Sequence, residues 1–368
     1  MSAEDDRRHM RHALALAQRG LGNVWPNPAV GCVILSDGRI VGRGWTQPGG
    51  RPHAEVVALA QAGAAARGAT VYVTLEPCAH HGMTPPCAEA LAAAGVARVV
   101  SALQDPDPRV AGRGHAMLRA AGIAVAEGVE EAAARAANAG FLSRIATGRP
   151  LVTLKLATTV DGRIAMASGE SRWITGPAAR RVVHALRLRH DAVMVGSGTA
   201  RADDPDLTVR DLGAARQPVR VVLDSQLSLD PASRLGRTAR EVPVWLCHGA
   251  SAPAGPRQAW QAAGARLITC GEAAGHLDIG AALSALGAAG LTRVLCEGGA
   301  ELAAALLRAG LVAEIVAFTA GKVIGAEGLG AVAPLDLATL AEAPRFRLTE
   351  LSEIGGDVMQ RWVRADRL

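Results

Sequence analysis

The feature that most constrains this chain is a set of three residues, His53, Cys78 and Cys87, since one imidazole and two thiolates distant in sequence must converge if they hold one metal ion. His53 opens the triplet His53-Ala54-Glu55 at the head of an Ala-rich helical segment. Cys78 follows an apolar strand in Glu76-Pro77-Cys78, and Cys87 closes the stretch that begins there. Three protein ligands leave the fourth position of a tetrahedral zinc open, as catalytic zinc requires, whereas structural zinc normally takes four. Zinc in such a site lowers the pKa of a bound water. Glu55, two residues after the histidine, is then free to carry protons to a ring nitrogen and a departing ammonia.

His-x-Glu with a later Pro-Cys-x-x-Cys is the signature of zinc deaminases that act on pyrimidine-type rings. Here eight residues separate the two cysteines, and Pro85-Pro86 stiffens the loop that presents the second. The long spacing points away from the nucleoside and nucleic-acid base deaminases, one of which with an accessory domain is the alternative reading. A non-catalytic zinc module would need a fourth ligand, which His80 or His81 could supply, but it leaves Glu55 without a role. Cys32, Cys247, Cys270 and Cys296 lie in or beside apolar strands and read as buried packing.

Around this constellation the first half alternates helix and strand. Helices are expected over 9–19, 54–66, 87–94, 115–121 and 132–145, and strands over 29–35, 70–75 and 98–102. Thr147-Gly148-Arg149-Pro150 is a helix-stopping break, and with 368 residues the chain is long enough for a second core beyond it. The domain boundary is therefore placed between 147 and 148. The second half restarts the alternation, with strands over 151–157, 192–196, 219–223, 242–246, 266–269 and 293–296 and helices over 177–189 and 300–308. Both halves are α/β layers.

Composition narrows the partners. The formal charge is +5, yet aromatics are only 3% and Lys and Arg are dispersed, so stacking on nucleic acid is not expected. The same balance suits a small phosphorylated substrate. No apolar run is long enough to span a bilayer, and the N-terminal Met-Ser-Ala-Glu-Asp-Asp-Arg-Arg is followed by no signal-like apolar core. Six scattered cysteines make no disulfide framework, and the expected location is the cytoplasm.

In the second half no Gly-x-Gly-x-x-Gly turn follows a strand, so a dinucleotide would be held differently. The turn Gly298-Gly299, between the strand over 293–296 and the helix from Ala300, is a candidate phosphate cradle because glycine lets backbone approach closely at a helix N-terminus. Lys155 and Asp203 are polar candidates, although a strand lysine is usually solvent-exposed and Asp203-Asp204-Pro205 usually a turn. Arg187 and Arg210 offer planar, bidentate donors for a substrate phosphate.

Trp25-Pro26-Asn27-Pro28-Ala29-Val30-Gly31-Cys32, the three metal-site motifs, Thr84-Pro85-Pro86-Cys87 and Asp105-Pro106 together resemble the bifunctional riboflavin-biosynthesis deaminase/reductases. The similarity runs on through Lys155-Leu156-Ala157, Asp161-Gly162-Arg163, the segment from Ser168 to Thr175, and Asp203-Asp204-Pro205, covering nearly the whole chain. It implies a cytidine-deaminase-like three-layer domain over 1–147, a zinc-dependent pyrimidine deaminase, and a dihydrofolate-reductase-like α/β domain over 148–368 that uses NADPH. The implied substrate is a diaminopyrimidinone carrying a ribosylamino 5-phosphate, first deaminated and then reduced from ribosyl to ribityl. One zinc per chain falls on His53, Cys78 and Cys87, with Glu55 as proton carrier and Asn27 on the substrate. Ala157, Trp173, Thr199, Asp203 and Ser225 would face NADPH, joined by Gly298 and Gly299, while Ser171, Arg187, Leu207, Arg210 and Glu297 would face the substrate. A homo-oligomer is expected, and neither nucleic acid nor membrane. Two positions depart from the family pattern: Thr46 stands where a histidine is frequent and Met83 where a basic residue is frequent, leaving Arg51 or Arg43 as the available cations.

Overall fold

The structure, a computed structural model, describes residues 2–365 apart from 82–84, 109, 215 and 274. The chain divides into two compact units, Met1–Gly148 and Arg149–Leu368.

Unit 1 contains α1 (Ala3–Ala17), β1 (Gly31–Ser36), β2 (Arg39–Trp45), α2 (Ala54–Ala62), β3 (Thr70–Val73), α3 (Cys87–Ala93), β4 (Arg98–Ser101), α4 (Arg113–Ala120), β5 (Ala124–Ala126), α5 (Glu131–Ala137) and α6 (Ala139–Thr147). The five strands lie in the order β2-β1-β3-β4-β5. β1 is antiparallel to both β2 and β3, and β3, β4 and β5 are parallel. The core gathers Met10, Val33, Ile34, Ala58, Val71, Leu91, Val99 and Leu118 from strands and from helices of the sheet's two faces.

Four sequence expectations change here. The first helix begins at Ala3, because the Ser2 hydroxyl accepts from the Asp5 N–H while the Asp5 carboxylate accepts from the Ser2 N–H, a capping box. β2, absent from the expected elements, reads as loop because of Gly42 and Gly44. A Cβ on Gly44 would lie 2.0 Å from the Ala54 carbonyl, so the glycines are what let α2 settle onto the strand. The short outer strand β5 was likewise not anticipated. The expected helix over 132–145 is two, interrupted at buried Asn138, whose Oδ1 accepts from the Ala29 N–H at 3.0 Å.

Unit 2 contains β6 (Leu151–Thr159), β7 (Arg163–Ala165), α7 (Pro177–Leu188), β8 (Ala192–Gly196), α8 (Ser197–Asp203), β9 (Val219–Leu223), α9 (Arg234–Arg237), β10 (Val244–Gly249), α10 (Ala254–Ala263), β11 (Arg266–Cys270), β12 (Glu272–Ala273), β13 (His276–Leu277), α11 (Ile279–Ala288), β14 (Arg293–Cys296), α12 (Ala300–Arg308), β15 (Val312–Ala320), β16 (Leu329–Gly330), β17 (Phe346–Ile354) and β18 (Asp357–Arg364). Nine strands form one sheet in the order β11-β10-β9-β8-β14-β6-β15-β18-β17. β11 through β15 in that order are parallel, and the last two are antiparallel additions. β8, β9 and β14 are almost wholly apolar and buried, as parallel strands covered on both faces must be. The expected strand over 242–246 sits later, as β10. The strands β15, β17 and β18 lie past the last expected element.

β14 enters between β6 and β8, whereas β9, β10 and β11 succeed one another outward from β8. This reversal of strand order makes the carboxyl ends of β6, β8 and β14 a topological switch point, where open α/β sheets carry their ligand crevice. Among the described residues, no helix is long and apolar enough to cross a membrane.

Two candidate active sites

His53 is the N-cap of α2 in extended conformation, which puts Glu55 in the first helical turn, and Cys87 is the first residue of α3. His53 Nδ1 lies 3.3 Å from Cys87 Sγ and 3.7 Å from Cys78 Sγ, and one donor atom from each residue falls within 4.8 Å of the others. This donor set, one nitrogen and two sulfurs, fits zinc. No fourth His, Cys or carboxylate joins it among the described residues. His81 instead lies 3.6 Å from Glu89 on the exposed surface. The Cys87 thiol, His53 and the Cys87 N–H all hydrogen-bond the Cys78 sulfur, and together they hold that thiol well below its ordinary value against the opposing effect of burial, in the direction that favours ligation.

Glu55 is 4% exposed and stands outside the ligand set. Burial raises its carboxyl to about 7, against the opposing charge of His53. A carboxyl poised near neutrality both takes and returns a proton. The loop carrying Cys78 is anchored by its neighbour Glu76, whose carboxylate accepts from the N–H groups of Asp105, Gly112, Gly114 and His115 at 3.2, 2.9, 2.9 and 3.3 Å. Asp105, pushed to about 6 mainly by burial, lies close enough for the Cys78 charge to act on it. Its Asp-Pro step was the only signal in the sequence for this position.

Asn27 is half-buried, donating from Nδ2 to the Gly50 carbonyl at 3.0 Å, three residues ahead of His53. Thr46 is buried and its hydroxyl is tied to the Val30 backbone, so it serves the fold. Of the two replacement cations, Arg51 acts on His53 electrostatically. Arg43 lies elsewhere, beside His12 and with its N–H on Gln61 towards the end of α2. Met83, with Gly82 and Thr84, is outside the described residues.

In unit 2 the crevice collects most of the expected residues. Ala157 is half-buried near the carboxyl end of β6. Arg187 on α7 donates from Nε and Nη2 to both oxygens of Glu297, at 2.6 and 2.9 Å, and from Nη1 to the Thr208 carbonyl at 2.8 Å, next to buried Leu207. Burial would raise the Glu297 carboxyl, but the Arg187 charge outweighs it and holds the group below its usual value. Lys155, a polar candidate from the sequence, is not the solvent-exposed residue that a strand lysine usually is. It is half-buried, its amine makes no hydrogen bond or ion pair among the described residues, and burial lowers its pKa against the raising fields of Glu297 and Asp203. Thr199 Oγ1 accepts from the Gly299 N–H at 2.8 Å, joining α8, which follows β8, to the turn after β14. A Cβ on Gly298 would lie 2.8 Å from the Gly196 nitrogen and 2.9 Å from Val195 Cα, so close strand packing alone requires this glycine.

Arg172 Nη2 donates to the Asp203 carbonyl at 2.7 Å, attaching the segment with half-buried Ser171 and exposed Trp173 to the end of α8. The Trp173 ring carries the Arg180 guanidinium 4.6 Å from its centroid. Arg210 is exposed and pairs with Asp206 at 3.2 Å, while its N–H donates to Nδ1 of His184 at 3.2 Å. His184, one turn before Arg187 on α7, was not singled out in the sequence. Ser225 lies apart, just beyond β9, its carbonyl accepting from the Gly249 N–H at 2.9 Å.

A deaminase-type zinc site in one α/β unit and a ligand crevice on a parallel sheet in the other define the class: a zinc-dependent deaminase joined to a reductase. The cytidine and deoxycytidylate deaminase zinc-binding region matches residues 3–103, and the RibD C-terminal domain matches residues 150–360. The riboflavin biosynthesis protein RibD of Escherichia coli K12 is 46% identical over 98% of this chain and 100% of its own length, and that of Haemophilus influenzae is 44% identical over 95% of each. Among solved structures, Acinetobacter baumannii RibD superposes with a TM-score of 0.89 at 40% identity, covering 99% of this chain and 100% of that one. The Thermotoga maritima deaminase/reductase superposes with a TM-score of 0.86 at 32% identity, covering 99% of each chain. The chain belongs to the RibD family of riboflavin-biosynthesis proteins. It is an enzyme with both activities, zinc-dependent deamination and NADPH-dependent reduction.

Proposed function

We propose that residues 1–147 hydrolytically deaminate 2,5-diamino-6-(5-phosphoribosylamino)pyrimidin-4(3H)-one and that residues 148–368 then reduce its ribosyl side chain to ribityl. The observation that carries the reading is the convergence of His53, Cys78 and Cys87 beside a buried carboxyl, Glu55, that is not itself in the ligand set. Zinc held by these three residues would supply the Lewis acidity that lowers the pKa of a bound water. Glu55 takes a proton from that water and passes protons to the ring nitrogen and the leaving ammonia. Asn27 and Arg51 stand at the same end of α2 as polar contacts for the substrate.

In the reductase crevice the protein orients the reactants while the cofactor carries the hydride. Ala157, Trp173, Thr199, Asp203, Ser225, Gly298 and Gly299 are assigned to NADPH. Ser171, Arg187, Leu207, Arg210 and Glu297 are assigned to the sugar-phosphate, with Arg210 the cation most accessible to the phosphate. Lys155 adds an unpartnered amine among Glu297, Asp203 and Arg187. The cysteines are free thiols, two of them assigned to the metal, which suits a reducing compartment and supports a cytoplasmic location. A homo-oligomer is the assembly assigned; edge strand β17, with Leu348 and Leu351 exposed, is a surface it would cover. The test is to incubate purified protein with the ribosylamino-pyrimidine phosphate, with and without NADPH, and follow product mass. Exchange of amino for oxo should occur without NADPH, and gain of two hydrogens only with it. A product reduced but not deaminated would overturn the order of steps.

A further inference from the structure

The turn after β9 is built around Asp224, which is 2% exposed. Its carboxylate accepts from the Leu229 N–H at 2.8 Å and from the Ser228 hydroxyl at 3.1 and 3.3 Å. An acidic residue placed to reach the adenosine ribose hydrogen-bonds the 2′-hydroxyl and suits NAD, whereas an arginine there accommodates the 2′-phosphate of NADP. Here the acid is turned inward and occupied by its own turn. The cation on the outside of that turn is Arg201, exposed on α8, whose Nη1 donates to the Ser228 hydroxyl at 2.6 Å.

Arg201 differs from its charged neighbours in having no carboxylate to neutralise it among the described residues. Arg210 pairs with Asp206, and Arg234 with both Asp204 and Asp206. Arg201 sits two residues after Thr199 and is hydrogen-bonded to the turn that carries Ser225, so it bridges the two elements that bear these cofactor-assigned hydroxyls. Its remaining guanidinium N–H groups are free for an anion, and a planar fork suits a phosphate better than any neutral group on this turn.

We propose that Arg201 binds the 2′-phosphate of NADPH and is the residue that selects NADPH over NADH. This rests on the assignment of Thr199 and Ser225 to the cofactor. The test measures binding to the full-length protein directly, by calorimetry and by quenching of protein fluorescence, with NADPH, NADH, 2′,5′-ADP and 5′-AMP as probes. Arg201→Ala should weaken NADPH and 2′,5′-ADP about 10- to 100-fold, the loss expected for charge-assisted hydrogen bonds to one phosphate, and leave NADH and 5′-AMP unchanged. Arg201→Lys should recover part of the loss, because it restores charge without the fork. Arg201 is exposed, so both variants should melt as the parent does. Ser225→Ala serves as the control and should weaken NADPH and NADH together. If Ser225→Ala does so while Arg201→Ala leaves the NADPH/NADH ratio intact, Arg201 is not the selector and the cofactor assignment stands. If neither variant alters binding of either nucleotide, the cofactor assignment itself fails.

Discussion

Arg187 and Glu297, one on α7 and the other just past β14, form a two-pronged ion pair at 2.6 and 2.9 Å, with both side chains largely removed from water. The pair anchors the crevice, since the third arm of the guanidinium also holds the loop at Thr208.

Breaking this pair should be costly whichever partner is removed. Arg187→Met leaves Glu297 as a buried carboxylate without its counter-ion, a loss of about 3–5 kcal/mol for pairs of this kind. Urea unfolding should show it, and NADPH-dependent reduction should be lost. Deamination measured under folded conditions should survive, and a variant of parental stability would show that the pair is not desolvated in solution.

Glu55→Gln should lower deamination by about 10²- to 10⁴-fold, the usual worth of a positioned general acid–base, while zinc content stays at one per chain. The same protein should still reduce pre-deaminated substrate with NADPH. Loss of both reactions in a folded, zinc-loaded variant would contradict two separate sites.

Cys87→Ala should act differently, because it removes a ligand. Zinc and deaminase activity should fall together, as measured by metal analysis of the dialysed protein. Full zinc occupancy would move the third ligand to another residue, His80 or His81 being nearest in sequence.

Asp6 links α1 to the sheet, accepting from Arg98 at 2.8 and 2.7 Å and from the Tyr72 hydroxyl at 2.9 Å. The Arg98 hydrogen bonds lead the causes that hold its carboxyl below the ordinary aspartate value. A depressed carboxyl stabilises the fold above its unfolded pKa and ceases to do so as pH falls through its folded pKa. Asp6→Asn should therefore destabilise the protein by about 1–3 kcal/mol at pH 7, with the difference from the parent shrinking once pH drops below about 4. Urea midpoints of the two proteins across that range provide the measurement; a constant difference would remove the ionised form from the explanation.

Gly298→Ala should destabilise unit 2, since the added Cβ meets backbone of Val195 and Gly196, which cannot move as a side chain tip can. Gly299→Val is the more informative change for cofactor binding: its Cβ meets only the Thr199 hydroxyl, at 3.1 Å. In a variant with a normal melting curve the KM for NADPH should rise and the deaminase rate should hold. An unchanged KM would exclude the Gly299 turn from the cofactor site.

The metal-site chemistry was legible in the linear chain because ligand identity is a property of single residues and their placement depends on local signals. A helix start puts His53 and Glu55 on one turn, and Pro85-Pro86 leads Cys87 into the next helix. The alternation of apolar strands and helices likewise marked two α/β layers, as periodicity is written within each element. Where elements are shaped by what lies against them, the sequence misled. β2 looks like loop until α2 is seen resting on Gly42 and Gly44, α5 and α6 look like one helix until Asn138 is seen bonded to Ala29, and the edge strand β17 shows little apolar pattern because much of its surface is exposed.

The grouping of His53, Cys78 and Cys87 with Glu55 beside them was thus legible in the sequence alone, because residue chemistry and short-range spacing suffice to pick out such a set. The partnership of Arg187 with Glu297, the unpartnered amine of Lys155 and the attachment of Arg201 to the Ser228 turn were decided only by the tertiary structure. Each depends on which strands become neighbours. The insertion of β14 between β6 and β8 brings residues more than a hundred positions apart to the carboxyl ends of neighbouring central strands, and no local pattern encodes that order.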